Sequence, residues 1–248
     1  MNDNALRFDR VNDDIRLIQI ENGLTFGTDA LLLAGYIDRK YKTAIELGTG
    51  TGIISMLLLT RGKACNITAL EVQKEYADLT KRNAELNGLE DRLTVVHTDL
   101  RDYNAEECEL LFTNPPYMKN TSGKSNTSDK KNIARHEVHG TIEDFCKYGA
   151  RMLKFGGTFA VVYRQDRLSE LMSAMNKSSL EPKRMTFVHA DVTSQPSMVL
   201  IEARKGGKCG LKVTKPLVIY TSKEHNEYTE DYNFIMESGS FPNEFSIK

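Results

Sequence analysis

The sequence predicts a doubly wound α/β fold with a mostly parallel, seven-stranded sheet whose last strand is antiparallel. From residue 43 onward, short apolar segments typical of buried strands alternate with amphipathic helical segments. This alternation is the pattern of a parallel sheet with helices on both faces. Only residues 190–197 separate the last two apolar segments, which is too short for a parallel crossover, so these two strands should pair antiparallel.

The individual elements follow from the same alternation. Strands are expected where apolar segments are short and bounded by polar or glycine residues, at 43–47, 67–72, 93–97, 109–113, 158–163, 184–189 and 198–203. Helices are expected over 30–36, 74–87, 142–153 and 166–177, with a further helix that ends at Leu59. Thr28 or Asp29 can cap the first helix, and Gly88 can end the helix over 74–87.

The two ends of the chain differ from this central part. Residues 15–20 alternate apolar and polar side chains and precede Asn22 and Gly23, which predicts a hairpin. The tail contains one possible strand, at 217–220, and then a polar, acidic stretch. We therefore expect an N-terminal hairpin extension, one main domain and a C-terminal extension, over 1–24, 25–205 and 206–248.

Composition limits the class of protein. The chain has 248 residues, of which 40% are hydrophobic, enough for a sizeable core. Its net charge of -1 argues against non-specific coating of nucleic acid but allows a local basic patch. Because the chain has no long apolar run and no signal peptide, a cytoplasmic location is expected. The 4 cysteines are not closely spaced, which supports neither a zinc site nor a redox pair, and no metal is expected.

A glycine-rich loop, 46–52, lies between a predicted buried strand and a helix. Gly48, Gly50 and Gly52 let the backbone turn sharply and let a ligand approach without Cβ atoms in the way. In such sheets the ligand lies over the carboxyl ends of the strands. The spacing is G-x-G-x-G, not the G-x-G-x-x-G of dinucleotide binders, so the loop alone is weak support for a cofactor site.

Two acidic residues strengthen that interpretation. Glu71 ends the second predicted strand, roughly 20 residues past the loop, where a carboxylate can accept from both ribose hydroxyls. Asp99 follows the third strand, where it can accept from an adenine amino group. Each acid alone is more often a solvated charge at a strand end, but the loop and both acids in this order favour a nucleoside-containing ligand.

This arrangement resembles the Rossmann-like class I S-adenosylmethionine-dependent methyltransferase fold over roughly residues 25–205. The resemblance implies S-adenosylmethionine as the cofactor, with Glu46 and the glycines around its methionine moiety. It also implies that Glu71 binds the ribose and that Asp99, with the backbone of Leu100, contacts the adenine. The residues expected to bind the cofactor are Thr28, Asp29, Glu46, Gly48, Thr49, Gly50, Gly52, Glu71, Val72, Asp99, Leu100 and Asn114.

The catalytic residues are expected in Asn114-Pro115-Pro116-Tyr117, after the fourth strand. An adenine amino group is a poor nucleophile because its lone pair is delocalised into the ring. The Asn114 carbonyl and a proline carbonyl, both accepting from that amino group, would stabilise the developing positive charge. Tyr117 offers a ring on which a flipped base can stack. The alternative is a simple proline turn after a buried strand.

The motif resembles the N-P-P-Y of amino-group methyltransferases, which modify adenine N6 in DNA or RNA, or the glutamine amide of release factors. Together with the segments 26–34 and 134–137, it resembles the tRNA1(Val) (adenine-37-N6)-methyltransferase family over nearly the whole chain. This resemblance implies N-methylation of adenine in tRNA. Guanine N2 enzymes of ribosomal RNA share the layout but generally show Asn-Pro-Pro-Phe. Glutamine N5 methylation and a non-catalytic RNA-binding protein remain alternatives.

The segment 119–132 has no apolar residue, and the stretch from Lys119 to Arg135 has a single acid, Asp129. Because it follows the Asn-Pro-Pro-Tyr motif, we expect a cationic lid that binds RNA phosphates. A merely solvated linker is the alternative. His136 is expected to order the loop or contact RNA, with the start of a surface helix as the alternative. The residues expected to bind the substrate are Lys119, Lys124, Lys130, Lys131, Arg135 and His136.

Overall fold

The computed structural model describes residues 5–21, 23, 25–104, 106–116 and 140–246. The first half of the chain contains β1 (Leu6–Arg10), β2 (Arg16–Ile20), α1 (Thr28–Tyr36), β3 (Tyr41–Leu47), α2 (Ile53–Thr60), β4 (Ala64–Glu71), α3 (Lys74–Leu86), β5 (Leu93–His97) and β6 (Cys108–Thr113). The second half contains α4 (Ile142–Met152), β7 (Leu153–Arg164), α5 (Leu168–Lys177), β8 (Leu180–His189), β9 (Pro196–Lys205), β10 (Lys212–Val213), β11 (Leu217–Val218) and α6 (Glu230–Ser238).

The main sheet confirms the predicted fold class. Within the described residues it has nine strands in the order β10-β8-β9-β7-β6-β3-β4-β5, and β11 also pairs with β8. The strands β7, β6, β3, β4 and β5 run parallel. β9 is antiparallel to both of its neighbours, β7 and β8, as the short loop before it predicted. Two further strands, β10 and β11, are short and run parallel to β8. β11 confirms the possible strand at 217–220, although it is shorter, and β10 was not predicted.

Alternating side chains of the strands enter two cores on opposite faces of the sheet. In β6, Leu110 and Phe112 pack with residues of α1, α2 and α6, whereas Leu111 between them packs with residues of α4 and α5. All three side chains are fully buried. The doubly wound arrangement therefore follows from apolar residues on both faces of the central strands.

The predicted N-terminal hairpin forms, but the prediction of its turn at Asn22-Gly23 is wrong. β2 pairs antiparallel with β1, which precedes it, so the turn lies at 11–15 and the chain after β2 leads into α1. The Asn12 side-chain oxygen accepts from the backbone N–H of Asp14 at 2.9 Å and of Ile15 at 2.8 Å. Such a side-chain-to-backbone bond stabilises a turn without an Asn-Gly pair.

The C-terminal extension packs into the core that contains α1. Tyr232, Ile235, Phe241 and Phe245 are buried there. The Lys63 ammonium joins the ends of α1 and α6, because it donates to the carbonyls of Ala34 at 2.8 Å and Gly239 at 2.8 Å. Burial lowers the pKa of Lys63 to about 7. Across the described ranges, no helix has both the length and the apolar character needed to cross a membrane.

Candidate active site

A cavity of about 630 Å³ opens at the carboxyl ends of β3, β4, β5 and β6. It is the edge at which ligands of open α/β sheets bind. Most of the residues predicted to bind the cofactor or to act in catalysis line it, namely Asp29, Glu46, Gly48, Thr49, Gly50, Glu71, Val72, Asp99, Leu100, Asn114, Pro115 and Pro116. The sequence motifs, which are far apart in the chain, therefore meet in one cavity.

Two predicted residues lie outside this lining. Thr28 hydrogen-bonds through its side chain to Tyr232 of the C-terminal extension. Gly52 has φ 84, and a Cβ there would lie 2.6 Å from Thr80 Cγ2 of α3. A glycine is thus required at this position by its φ and by the close approach of its backbone to Thr80. The remaining predicted residues, Tyr117, Lys119, Lys124, Lys130, Lys131, Arg135 and His136, lie outside the described residues.

The glycine loop brings bare backbone to the cavity at Gly50. This residue has φ 58, and a Cβ at this position would meet no atom within 4 Å. The Thr80 hydroxyl donates to the Gly50 carbonyl at 2.8 Å, and the Gly50 N–H donates to Glu71 Oε2 at 2.9 Å. The loop is therefore fixed from α3 and from β4, and its backbone leaves open space for a ligand.

Glu46 lies at the base of the cavity, 1% exposed. Its Oε2 accepts from the Thr49 hydroxyl at 2.6 Å and from the Ser55 hydroxyl at 2.5 Å. Burial, with a smaller contribution from the Glu71 carboxylate, raises the pKa of Glu46 to about 7 against the opposing effect of the two hydroxyls. A cationic ligand group would favour the ionised form of this carboxyl group.

Glu71 is buried at the end of β4. Besides the bond from Gly50, its Oε1 accepts from the N–H of Gln73 at 2.9 Å. An ionised carboxylate has about four acceptor positions, so each oxygen retains one for a ligand hydroxyl. Backbone N–H groups therefore hold both carboxylate oxygens of Glu71 in position.

Asp99 follows β5 and is paired with Arg101, which the sequence did not predict. Oδ1 accepts from the Arg101 N–H at 2.8 Å and from Nε at 2.9 Å, and Oδ2 accepts from Nη2. The hydrogen bond from the Arg101 side chain holds the pKa of Asp99 below its usual range, so the group is ionised at neutral pH. Oδ2 keeps an acceptor position for an amino group.

Asn114 immediately follows β6, whose last residue, Thr113, donates its hydroxyl to the Leu47 carbonyl at 2.9 Å. The Asn114 Nδ2 donates to Asp29 Oδ2 at 2.9 Å. Space for this carboxylate depends on Gly27, where a Cβ would lie 2.8 Å from Asp29 Oδ1. With the nitrogen bound to Asp29, the carbonyl is the end of the Asn114 side chain that can accept from a substrate.

This geometry gives Asp29 a positioning role that the sequence did not predict. We expect Asp29→Ala to lower kcat about tenfold or more, because a hydrogen bond to a charged group contributes about 1.5–3 kcal/mol and 1.4 kcal/mol corresponds to a factor of ten. The measurement is a double-mutant cycle with Asn114→Ala: once Asn114 is absent, the Asp29 substitution should lower kcat no further. Equal losses in both backgrounds would show that Asp29 acts independently of Asn114.

Several lining residues were not predicted from the sequence: Thr25, Phe26, Ala30, Thr51, Ile53, Ile54, Leu70, Gln73, Tyr76, Thr98 and Phe145. Phe145 lies in the first turn of α4, which begins at a capping box in which Thr141 Oγ1 accepts from the Asp144 N–H at 3.2 Å. The Thr-x-x-Asp spacing was the available signal for that helix start. Sequence periodicity assigns Phe145 to the core but cannot show that its ring borders a cavity.

Comparison with known proteins agrees with this geometry. The family model described as methyltransferase small domain matches residues 21–184. The tRNA1(Val) (adenine(37)-N6)-methyltransferase of Phocaeicola vulgatus is 28% identical, over 83% of this chain and 86% of that protein. The enzyme of the same name from Bacteroides thetaiotaomicron is 28% identical, over 83% of this chain and 89% of its own.

Solved structures show the same fold. A predicted O-methyltransferase from Agrobacterium tumefaciens superposes with a TM-score of 0.70 at 20% identity, covering 87% of this chain and 98% of that one. TYW2 of M. jannaschii in complex with AdoMet superposes with a TM-score of 0.56 at 12% identity, covering 82% and 87%. The predicted methyltransferase fold is thereby confirmed, and the chain belongs to the methyltransferase small domain family.

Proposed function

We propose that the protein transfers a methyl group from S-adenosylmethionine to the exocyclic N6 of adenine in tRNA, with adenine 37 of tRNA1(Val) as the target. The observation that carries this proposal is the position of Asn114. Its amide is fixed by Asp29 at 2.9 Å in the same cavity as the glycine loop, Glu46 and Glu71. The proposed site for the methyl donor and the hydrogen-bond acceptor for the substrate's amino group thus lie in the same cavity.

The cavity fits S-adenosylmethionine by its size and by the hydrogen-bond acceptors that line it. Its volume of about 630 Å³ lies within the range of about 300–1,000 Å³ that is usual for ligand sites. Glu46 offers an acceptor to an ammonium group, Glu71 to two ribose hydroxyls and Asp99 to an adenine amino group. At Gly50 a ligand can approach the backbone without meeting a side chain. When bound, the cofactor supplies an electrophilic methyl group on a sulfonium.

At the acceptor side, the protein orients the target nitrogen and stabilises its developing charge. The Asn114 carbonyl and the carbonyl of Pro115 can accept from the two amino hydrogens, which favours a pyramidal nitrogen with its lone pair free for the methyl group. Proline offers no competing N–H. Because these acceptors are fixed beforehand, little reorganisation is needed during the reaction. The proton leaves to water after transfer.

Support for tRNA as the substrate comes from the relatives that share most of this chain's length and are named for adenine 37 of tRNA1(Val). The proposed phosphate contacts are Lys119, Lys124, Lys130, Lys131 and Arg135, with His136 in a loop-ordering or RNA-contact role. Tyr117 is proposed to stack on the flipped adenine. These seven residues lie outside the described ranges, and their roles stay predictions from the sequence.

The raised pKa of Glu46 makes a prediction for cofactor binding. An ammonium group prefers the ionised carboxylate, so affinity should rise with pH up to about 7 and then level off. We expect binding about tenfold weaker at about pH 6 than at about pH 8, measured by calorimetry. Glu46→Gln should remove this dependence. A parent protein whose affinity is flat across this range would exclude Glu46 as the ammonium partner.

Transfer of labelled methyl groups tests the proposed substrate class. Purified protein, labelled S-adenosylmethionine and either tRNA or a release factor are incubated, each with and without ribonuclease. We expect label in tRNA, abolished by ribonuclease, and none in the release factor. Label in the release factor that resists ribonuclease would instead assign glutamine N5 methylation. Absence of label from both substrates would contradict methylation of tRNA.

A further inference from the structure

The outer edge of β1 has no neighbouring strand among the described residues. β1 pairs with β2 in a two-stranded sheet that is separate from the main sheet. Five residue pairs join the two strands without a break in register. Monomeric proteins usually protect such an edge with a proline, a bulge or a lysine, and Leu6–Arg10 contains none of these. The edge is therefore open to another strand.

The opposite edge of the hairpin is occupied by α3. Asn83 Oδ1 accepts from the Ile18 N–H at 2.7 Å, and its Nδ2 donates to the Ile18 carbonyl at 3.1 Å. Asn87 binds the N–H and the carbonyl of Arg16 in the same way, at 2.9 Å and 2.8 Å. Ile18 also packs against Tyr76 of α3. The two asparagine amides thus take the place of a third strand beside β2, whereas β1 has no such cover.

The direction of the backbone groups in β1 follows from the pairing with β2. The Val11 N–H, one residue past β1, donates to the Ile15 carbonyl at 2.9 Å. Because backbone groups alternate in direction along a strand, the odd-numbered residues of β1 face β2, and Leu6, Phe8 and Arg10 point away from it. No described residue bonds to the backbone of these three. Three N–H groups and three carbonyls are therefore available along the outer edge.

Apolar side chains accompany these free backbone groups. Phe8 is 70% exposed and Leu6 is 36% exposed. The two side chains lie on the same face of β1, because residues two apart in a strand point to the same side. Backbone groups without partners and exposed apolar side chains beside them are what an added strand uses for affinity.

The sequence of β1 is complementary to itself in an antiparallel register centred on Phe8. In this register Phe8 faces Phe8 of a second copy, Arg7 faces Asp9, and Leu6 faces Arg10. Opposite charges that face each other across two strands stabilise the pairing, and they occur on both sides of the centre. The aliphatic stem of Arg10 can cover Leu6. The charges of β1 therefore favour a second copy of this chain as the partner.

The backbone selects the same register. Only registers that set Leu6, Phe8 and Arg10 opposite one another bring the outward-pointing N–H and carbonyl groups of both copies together. The register centred on Phe8 does this. The two adjacent registers that also do so, each shifted by two residues, set Arg7 opposite Arg7 or Asp9 opposite Asp9. Like charges directly opposite destabilise a strand pair.

We propose that two copies of the protein pair through β1, antiparallel and about a two-fold axis at Phe8, to form a continuous four-stranded sheet. Such an interface uses the same surface on both copies, so the assembly closes as a dimer. Two strands of five residues bury less area than the roughly 1,200–2,000 Å² of a standard interface, so the dimer dissociates on dilution. It forms whichever substrate the protein methylates.

Sedimentation velocity over a series from low micromolar to several hundred micromolar protein tests this dimer. We expect the parent to change from monomer to dimer across the series. Arg7→Glu should weaken dimerisation at least about tenfold, because both charge pairs become repulsive. Phe8→Pro should also be monomeric, since it removes the central N–H that points away from β2. Arg39→Glu, an equal charge change in the exposed loop between α1 and β3, is the control and should dimerise like the parent.

A mixing experiment tests the register and separates it from loss of folding. Asp9→Arg alone should be monomeric, because it sets two arginines opposite each other at both pairs. Mixed in equal amounts, Arg7→Glu and Asp9→Arg should form a dimer, since every cation of one variant then faces an acid of the other. The thermal unfolding of each variant, measured at a concentration where the parent is monomeric, should match that of the parent.

A parent that stays monomeric at several hundred micromolar would overturn the proposal and leave the edge of β1 to a different partner. A parent dimer that persists in both Arg7→Glu and Phe8→Pro would place the interface elsewhere on the protein. Two folded variants that remain monomeric when mixed would exclude the register centred on Phe8. None of these results depends on methyl transfer, so the dimer and the proposed function can fail separately.

Discussion

Asn114→Ala is expected to lower the turnover of methyl transfer about 10²–10³-fold while S-adenosylmethionine binding stays close to that of the parent. The reason is that Asn114 is proposed to contact the acceptor amino group, and removal of one preorganised polar partner in other enzymes costs about this much in rate. Its amide nitrogen is already bound to Asp29 at 2.9 Å, so the acceptor oxygen needs no reorientation when substrate arrives.

Single-turnover kinetics with saturating cofactor measures this effect at the chemical step. Asn66→Ala is a suitable control, because Asn66 is an exposed asparagine of β4 outside the cavity lining and its loss should leave the rate unchanged. A variant lacking Asn114 that retains near-parent turnover would contradict the proposed catalytic role. A variant that loses cofactor affinity to the same extent would place Asn114 at the donor instead.

Glu71→Ala is expected to weaken affinity for S-adenosylmethionine at least about tenfold. A hydrogen bond to a charged group contributes about 1.5–3 kcal/mol, and 1.4 kcal/mol corresponds to a factor of ten. The same substitution removes the acceptor for the Gly50 N–H at 2.9 Å, which helps to fix the glycine loop. Loss of the direct contact and loosening of the glycine loop should both weaken cofactor affinity.

Isothermal titration calorimetry measures the change. Glu75→Ala supplies the matched control, since Glu75 is an exposed acid in the first turn of α3 and its removal changes the net charge equally. We expect that control to bind the cofactor like the parent. Unchanged affinity in Glu71→Ala would show that Glu71 is not the ribose ligand, whatever the effect on activity.

The fold could be predicted from the sequence because its strands and helices each leave a recognisable pattern of apolar residues. Apolar segments of strand length alternate with helical patterns, and the short loop before β9 leaves only an antiparallel pairing. The turn of the N-terminal hairpin was predicted in the wrong place. It is stabilised by hydrogen bonds from the backbone to the Asn12 side chain, whereas the prediction relied on the Asn-Gly pair at 22–23.

The site was predictable where a motif fixes residue type and spacing, and less so where packing decides. Glu46, Glu71 and Asn114 lie at the carboxyl ends of three separate strands, and parallel strands end at one edge of the sheet. The partners of these residues depend on tertiary contacts that no spacing encodes. Asp29 meets Asn114 across 85 positions of sequence. Tyr232 reaches Thr28 only because the C-terminal extension packs on α1.

Methylation of adenine N6 in tRNA by this chain is the central claim. Nucleoside mass spectrometry of a tRNA1(Val) transcript, after incubation with the purified protein and S-adenosylmethionine, tests it most directly. We expect N6-methyladenosine at a single adenine beside the anticodon, absent when Asn114→Ala replaces the parent. Methylated guanosine, or a transcript with no methylated nucleoside, would contradict it.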